Sequence, residues 1–282
     1  MYIFKRKGIV FRKGQTLEFK KDHVREFVGF LRPNICLLIA GMGISGFLLF
    51  NPPNIKLLYV ALATFFVGAT SYSYNLITDK EEDLINHKKV NWFVTKNTGY
   101  YLVLCFLLIG FISVLFLSYT SMIFYISAAL SGAVYSYYRI KDTFPLKNIY
   151  TGMSLTQAFM IGAANVPINM GMLLYTLPLF LLLFVASLMS DLRDYKGDKA
   201  IGIRTVPVVL GYEFTKMISY ATLIVLITSV FALRLFGLLP LLIFVLPISI
   251  LIYQNKPKKA HLITMTSFIC LPGGIFLMQV IA

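Results

Sequence analysis

The chain has 282 residues, of which 58% are hydrophobic and 13% charged, too little polar surface to cover a soluble domain of this length. Uncharged apolar stretches recur from end to end, which excludes a soluble domain on a single anchor and points to one polytopic membrane domain. The formal net charge of +14 does not indicate nucleic acid, because the basic residues border apolar stretches instead of gathering on a soluble surface.

The first 26 residues are basic and lack the apolar core and small-residue cleavage site of a secretory signal, so they are expected to remain as a cytoplasmic segment, 1–26, ahead of a membrane domain, 27–282. Apolar runs bounded by charge, Pro, Gly or Asn then predict nine transmembrane helices in a single bundle, an all-α membrane protein. They fall at 33–50, 57–78, 99–117, 120–138, 149–168, 172–190, 217–233, 237–253 and 262–281. Cys36, Cys105 and Cys270 all lie in these runs and read as lone buried thiols. His23, His87 and His261 are scattered away from them, which makes a nitrogen–sulfur zinc site improbable and leaves oxygen ligands for any metal.

Nine crossings place alternate loops on opposite sides. Of 26 Lys and Arg, 24 then share a side with the N-terminus, leaving only Lys56 and Arg234 opposite. The positive-inside rule makes the first side cytoplasmic, with the C-terminus outside. All twelve Asp and Glu fall on that same side, although acidic residues contribute little to topology, so another cause must gather them.

Two motifs hold most of these acids. The second span ends in Asn75-Leu-Ile-Thr-Asp79-Lys-Glu-Glu-Asp83, whose intervals of four place Asn75, Asp79 and Asp83 on one helix face. The sixth ends in Asp191-Leu-Arg-Asp194-Tyr-Lys-Gly-Asp198, where intervals of three and four do the same. Carboxylates crowded at the mouth of a bundle repel one another unless a cation is bound. Mg²⁺ fits best, since it is commonly held by one or two carboxylates together with water and substrate phosphates. Lys88, Lys89, Arg139, Lys141, Lys147, Arg193 and Lys199 stand near enough in sequence to meet such phosphates.

The paired motifs resemble those of the UbiA-type prenyltransferase superfamily, whose first motif is written NDxxDxxxD and whose second is DxxxD or an extended form. The similarity continues through Gly197-Asp198-Lys199-Ala-Ile-Gly202-Ile-Arg-Thr205-Val-Pro207-Val-Val-Leu-Gly211, through Leu31-Arg32-Pro33, and through Tyr135-Ser136-Tyr137 with Lys141 and Lys147-Asn148. Leu76 stands where the first motif often has Asp, and Asn86-His-Lys-Lys-Val-Asn91 lacks the usual Arg-Pro element. The extended second motif is more similar to that of archaeal ether-lipid and chlorophyll synthases than to that of quinone enzymes.

The resemblance implies Mg²⁺-dependent transfer of a polyprenyl group, geranylgeranyl among the options, from an isoprenyl diphosphate to a small acceptor in lipid or quinone biosynthesis, at a cytoplasm-facing site in the membrane. It implies metal binding by Asp79, Asp83, Asp191, Asp194 and Asp198 with Asn75 in support, and diphosphate binding by Lys141, Lys88, Lys89 and Arg32. Tyr137 is its favoured aromatic stabiliser of the allylic cation, with Tyr72, Tyr74, Tyr135 and Tyr138 also near the motifs. A cation-coupled transporter is the competing class, since acid clusters in helical bundles also bind transported ions. Transporter sites, however, lie near the midplane between inverted repeats. Here both motifs end spans on one face, and their offset of four spans indicates a parallel duplication.

Overall fold

The computed structural model describes residues 21–85 and 90–281. They form an all-α bundle with no strand. An amphipathic helix, α1 (Lys21–Leu31), breaks at Arg32 into α2 (Pro33–Phe50). Arg32 is left-handed at φ 51°, an arrangement that keeps the residue before Pro33 out of the helical region. The long helices that follow are α3 (Lys56–Thr78), α5 (Thr98–Val114), α6 (Tyr119–Tyr137), α7 (Leu146–Ala163), α8 (Met170–Ile201), α10 (Tyr212–Ala232), α11 (Leu239–Tyr253) and α12 (Pro257–Ile281). Two short helices intervene, α4 (Lys80–Ile85) and α9 (Val206–Leu210).

Helix starts follow the polar residues placed before them. Ser118 caps α6 by accepting the Ser121 amide at 3.0 Å, and Asn169 caps α8 by accepting the Met172 amide at 2.9 Å. Gly202, at φ 76°, ends α8 in the left-handed conformation that suits glycine.

Six helices are long and apolar enough to cross a membrane: α2 with α1 leading into it, α3, α8, α10, α11 with the 3₁₀ turn before it, and α12. α5 is apolar but has only 17 residues. The chain is an integral membrane protein. Each of the nine expected spans coincides with a helix, but composition alone marks six of them as crossings. α6 and α7 fall short because they carry Ser131, Ser136, Asn148, Thr151, Ser154 and Gln157, polar side chains that turn inward and lower their hydropathy. Cys36 is buried as expected, whereas Cys105 and Cys270 lie on the outside, among exposed apolar residues such as Leu104, Leu108, Ile269 and Phe276. That outer surface is what lipid contact requires.

α2 sits centrally against α3, α7 and α12, and α8 packs on α7, α10 and α12. Neighbour-to-neighbour packing runs α2–α3–α5–α6 and α7–α8–α10–α11. The α2–α7 crossing is a glycine contact. A Cβ on Gly162 would strike the Gly43 carbonyl, and one on Gly46 would strike the Phe159 carbonyl, so the two backbones touch with no side chain between them.

The first acidic ladder spans a helix break. α3 ends at Thr78 and α4 begins at Lys80, so the helix is interrupted at Asp79. Local side chains compete for its last carbonyls, since the Thr78 hydroxyl donates to the Asn75 carbonyl at 3.0 Å. Asn75 and Asp79 still share a face at the break, joined by a hydrogen bond between their side chains, while the Asp83 side chain lies outside the described residues. The second ladder lies on a single helix, because α8 continues unbroken through Asp198.

Candidate active site

The end of α3 and the turn after α6 build the first half of the site. Arg139 adopts a left-handed conformation at φ 51°, and the chain turns sharply into a 3₁₀ turn, Ile140–Asp142. That turn carries Lys141 back over the end of α3, where its ammonium donates to Asp79 Oδ1 at 2.6 Å. Asn75 donates from its amide to Asp79 Oδ2 at 2.9 Å and accepts from the Ser136 hydroxyl at 3.2 Å. Asp79 is thus held on both oxygens, by one charged donor and one neutral donor from different helices.

The first turn of α7 and the last third of α8 build the second half. Asp191 is fully buried, and a bare carboxylate there would be costly. Lys147 forms a salt bridge to its Oδ1, and the Asn148 amide donates to its Oδ2 at 2.9 Å and to Ser187 Oγ at 2.9 Å. Asp194 is 49% exposed, in a two-pronged pair with Arg193, and lies within electrostatic reach of Asp198. Asp198 is half-buried and interacts electrostatically with Lys147, Asp191 and Asp194.

Tyr135 joins the halves. It lies within electrostatic reach of Asp191, Lys141 and Asp79. With Tyr72 it walls a cavity of about 180 Å³ between α2, α3, α6 and α7. One end of the cavity is polar, at Asn75 and Ser136, and its wall turns apolar along Ile39, Val67, Ala128 and Leu155.

Asn75 lines the polar end of this cavity and hydrogen-bonds Asp79, which Lys141 meets; Tyr135 on the cavity wall lies within electrostatic reach of Asp191, and Asp198 lies within reach of Asp191 and Lys147. Arg32 stands within electrostatic reach of the cavity wall at Tyr72. Tyr137 does not line the cavity; it is 71% exposed, with its ring edge-on to Tyr138. Residue 135 lies half a helical turn away and occupies the inner position. Lys88 and Lys89 lie outside the described residues, and so does the Asp83 side chain. The sequence marked Lys147 as a candidate for phosphate and Lys147-Asn148 as part of the family resemblance, but not their contact with Asp191, and it gave Ser187 no role. The signal was Asn148, an amide at the start of an otherwise apolar helix.

Among the described residues no three carboxylate, imidazole or thiol groups converge into a ready-made cage for a metal. The donors present are nonetheless all oxygen, and their spread suits Mg²⁺, which takes one or two carboxylates and completes its shell with water and substrate phosphates.

Residues 35–261 match the family described as the UbiA prenyltransferase family, and the chain belongs to it. It is accordingly an enzyme that transfers prenyl groups, and the transporter alternative is set aside. It is 27% identical over 202 residues to a digeranylgeranylglyceryl phosphate synthase of Pyrococcus horikoshii, covering 69% of this chain and 72% of that one. Its fold is similar to that of a UbiA homolog from Archaeoglobus fulgidus bound to GPP and Mg²⁺, with TM-score 0.70, 17% identity, and 89% and 99% of the two chains covered. The same homolog bound to DMAPP and Mg²⁺ gives TM-score 0.68 at 17% identity, covering 89% and 98%.

Proposed function

We propose that this enzyme catalyses Mg²⁺-dependent transfer of a geranylgeranyl group from its diphosphate to the free hydroxyl of a prenylated glyceryl phosphate, a step in ether-lipid assembly. The similarity to digeranylgeranylglyceryl phosphate synthases supports the acceptor class, and the solved homologs bound to prenyl diphosphates and Mg²⁺ support the donor and the metal. The observation that carries the reading is the pairing of Asp79 with Lys141 and of Asp191 with Lys147 at the polar end of a cavity that turns apolar.

In this reading Asp79, Asp83, Asp191, Asp194 and Asp198 would hold Mg²⁺, which would supply neutralisation of the leaving diphosphate. Lys141 and Lys147, now counter-ions to carboxylates, turn to phosphate oxygens, with Lys88, Lys89 and Arg32 completing the cationic rim. The bond between the allylic carbon and oxygen breaks, the electron pair leaves with diphosphate, and the acceptor oxygen bonds to that carbon while its proton passes to the departing diphosphate. Tyr72 and Tyr135 present aromatic faces to the allylic cation and help exclude water, which would otherwise capture it. The membrane domain, 27–282, crosses nine times, with the N-terminal segment 1–26 and the site at the cytoplasm and the C-terminus outside.

The test is product identification. Purified protein is given Mg²⁺, geranylgeranyl diphosphate and either geranylgeranylglyceryl phosphate or an aromatic quinone precursor. A digeranylgeranylated glyceryl phosphate is the expected product by mass spectrometry. Prenylation of the aromatic acceptor alone would move the enzyme to quinone synthesis.

A further inference from the structure

The cavity at the site holds about 180 Å³, less than the roughly 300 Å³ at which ligand pockets of ordinary size begin. It has room for a short hydrocarbon chain but not for a long one. A second cavity, of about 380 Å³, lies beside it between α3, α5 and α6, walled by Tyr74, Val103, Leu107, Phe111, Ile126 and Ala129. No charged residue is among its walls, so it offers nothing to hold a headgroup of its own.

The two cavities share Ser71 as a wall residue. Against Ser71 stands Gly132 of α6, so close that a Cβ there would collide with the serine hydroxyl. That hydroxyl is tied back to the Val67 carbonyl of its own helix at 2.9 Å. The partition is thus one small side chain facing a residue that has none. Asn75, at the polar end of the site, is one helical turn from Ser71. Far from Asp79, the Tyr125 hydroxyl donates to the Leu107 carbonyl at 2.7 Å and ties α5 to α6.

We propose that the second cavity is a hydrocarbon subsite that takes the far end of the isoprenyl chain of a donor too long for the first, with the Ser71–Gly132 contact as the threshold the chain crosses. The proposal rests on the reading of the first cavity as the donor site. It makes the partition a determinant of which chain lengths the enzyme accepts.

The test uses the full chain in phosphatidylcholine nanodiscs with Mg²⁺ and a geranylgeranyl diphosphate carrying a diazirine on its last isoprene unit. Photolysis and peptide mapping should place adducts on Leu107, Phe111 or Ala129, and excess unlabelled geranylgeranyl diphosphate should remove them. Adducts confined to Ile39, Leu155 and Ala158 would overturn the proposal. So would labelling at Leu107 that unlabelled donor does not displace, which would assign the cavity to membrane lipid. In a second arm, Ala129→Phe fills the cavity from α6. Dimethylallyl diphosphate should bind this variant as it binds wild type, while geranylgeranyl diphosphate should bind at least tenfold more weakly. An equal change for both donors, or none for either, would overturn the subsite. The labelling arm needs no variant, so a misfolded Ala129→Phe leaves the test intact. If wild type bound no prenyl diphosphate at all, the donor site itself would fall, whereas adducts restricted to the first cavity remove only the subsite.

Discussion

Lys141 donates to Asp79 across 2.6 Å, although 62 residues separate the two in the chain. The contact joins the turn after α6 to the end of α3, and it fixes the ammonium before any substrate arrives. From there the ammonium reaches the leaving diphosphate by exchanging a carboxylate oxygen for a phosphate oxygen, and it stabilises the negative charge that develops there.

Lys141→Met should therefore lower kcat by about a hundredfold, the scale found for removing one electrostatic donor, with a smaller change in donor affinity. Charge on the leaving oxygen grows toward the transition state, so the loss belongs there more than in the ground state. Steady-state kinetics at saturating Mg²⁺ measure the split. Unchanged turnover would reduce Lys141 to a topology signal.

Asp191 and Asp194 differ in burial, and their amide variants should differ in stability. Asp191→Asn leaves Lys147 without its charged partner, a break that costs roughly 3–5 kcal/mol for a buried pair, so its melting midpoint should fall by several degrees. Asp194→Asn removes an exposed pair with Arg193, worth about 0–1 kcal/mol, and its midpoint should stay near wild type. Both should lose turnover. Thermal unfolding of the purified variants in detergent distinguishes the two; equal midpoints would contradict the assigned burial.

Asn148→Leu should reduce activity while preserving both lysines and all five aspartates. Its amide bridges Ser187 and Asp191, and leucine cannot donate to either, so the carboxylate loses one of its two holders. Asn148→Gln, which keeps the amide on a longer arm, should recover part of the activity.

Removal of divalent cations by EDTA should stop turnover, and added Mg²⁺ should restore it. Ca²⁺ should restore little, because it prefers a larger and looser oxygen shell. Full activity in EDTA would refute the metal reading of the aspartates.

Topology is open to cysteine labelling. In a cysteine-free background, His87→Cys and Gly197→Cys should react with an impermeant reagent only from the cytoplasmic side, and Arg234→Cys only from outside. Labelling of positions 87 and 197 from opposite sides would defeat the nine-span arrangement.

The helices were legible because their apolar runs are long and their boundaries chemically marked, as at Ser118 and Asn169. α6 and α7 show the limit of that signal, since the inward hydroxyls and amides that build the cavity also make these helices look less like membrane spans. The acidic residues of the site were legible from spacing, but their partners were not. Spacing reports which residues share a helix face, as Asn75 and Asp79 do, but not which residues other helices bring to them. Tyr137 drew attention over Tyr135 because nothing local says which face of α6 turns inward; that depends on Thr151, Asp79 and Asp191, which come from other helices. Lys147 read as a candidate for phosphate, and its pairing with Asp191 shows only once α8 packs against α7.

The glycine crossing of α2 and α7 has a mechanical consequence. Where Gly43, Gly46 and Gly162 bring backbone against backbone, no side chain can change rotamer to let the helices slide or separate, so this pair acts as a fixed keel. Breathing that admits a bulky substrate must fall to helices that meet through side chains, such as α5 and α6 with Tyr125 and Phe111 between them. Gly162→Ala would wedge the keel apart and displace Lys147 and Asn148 at the far end of α7, so a single methyl group more than 20 Å along the helix by its rise of about 1.5 Å per residue would be felt at Asp191.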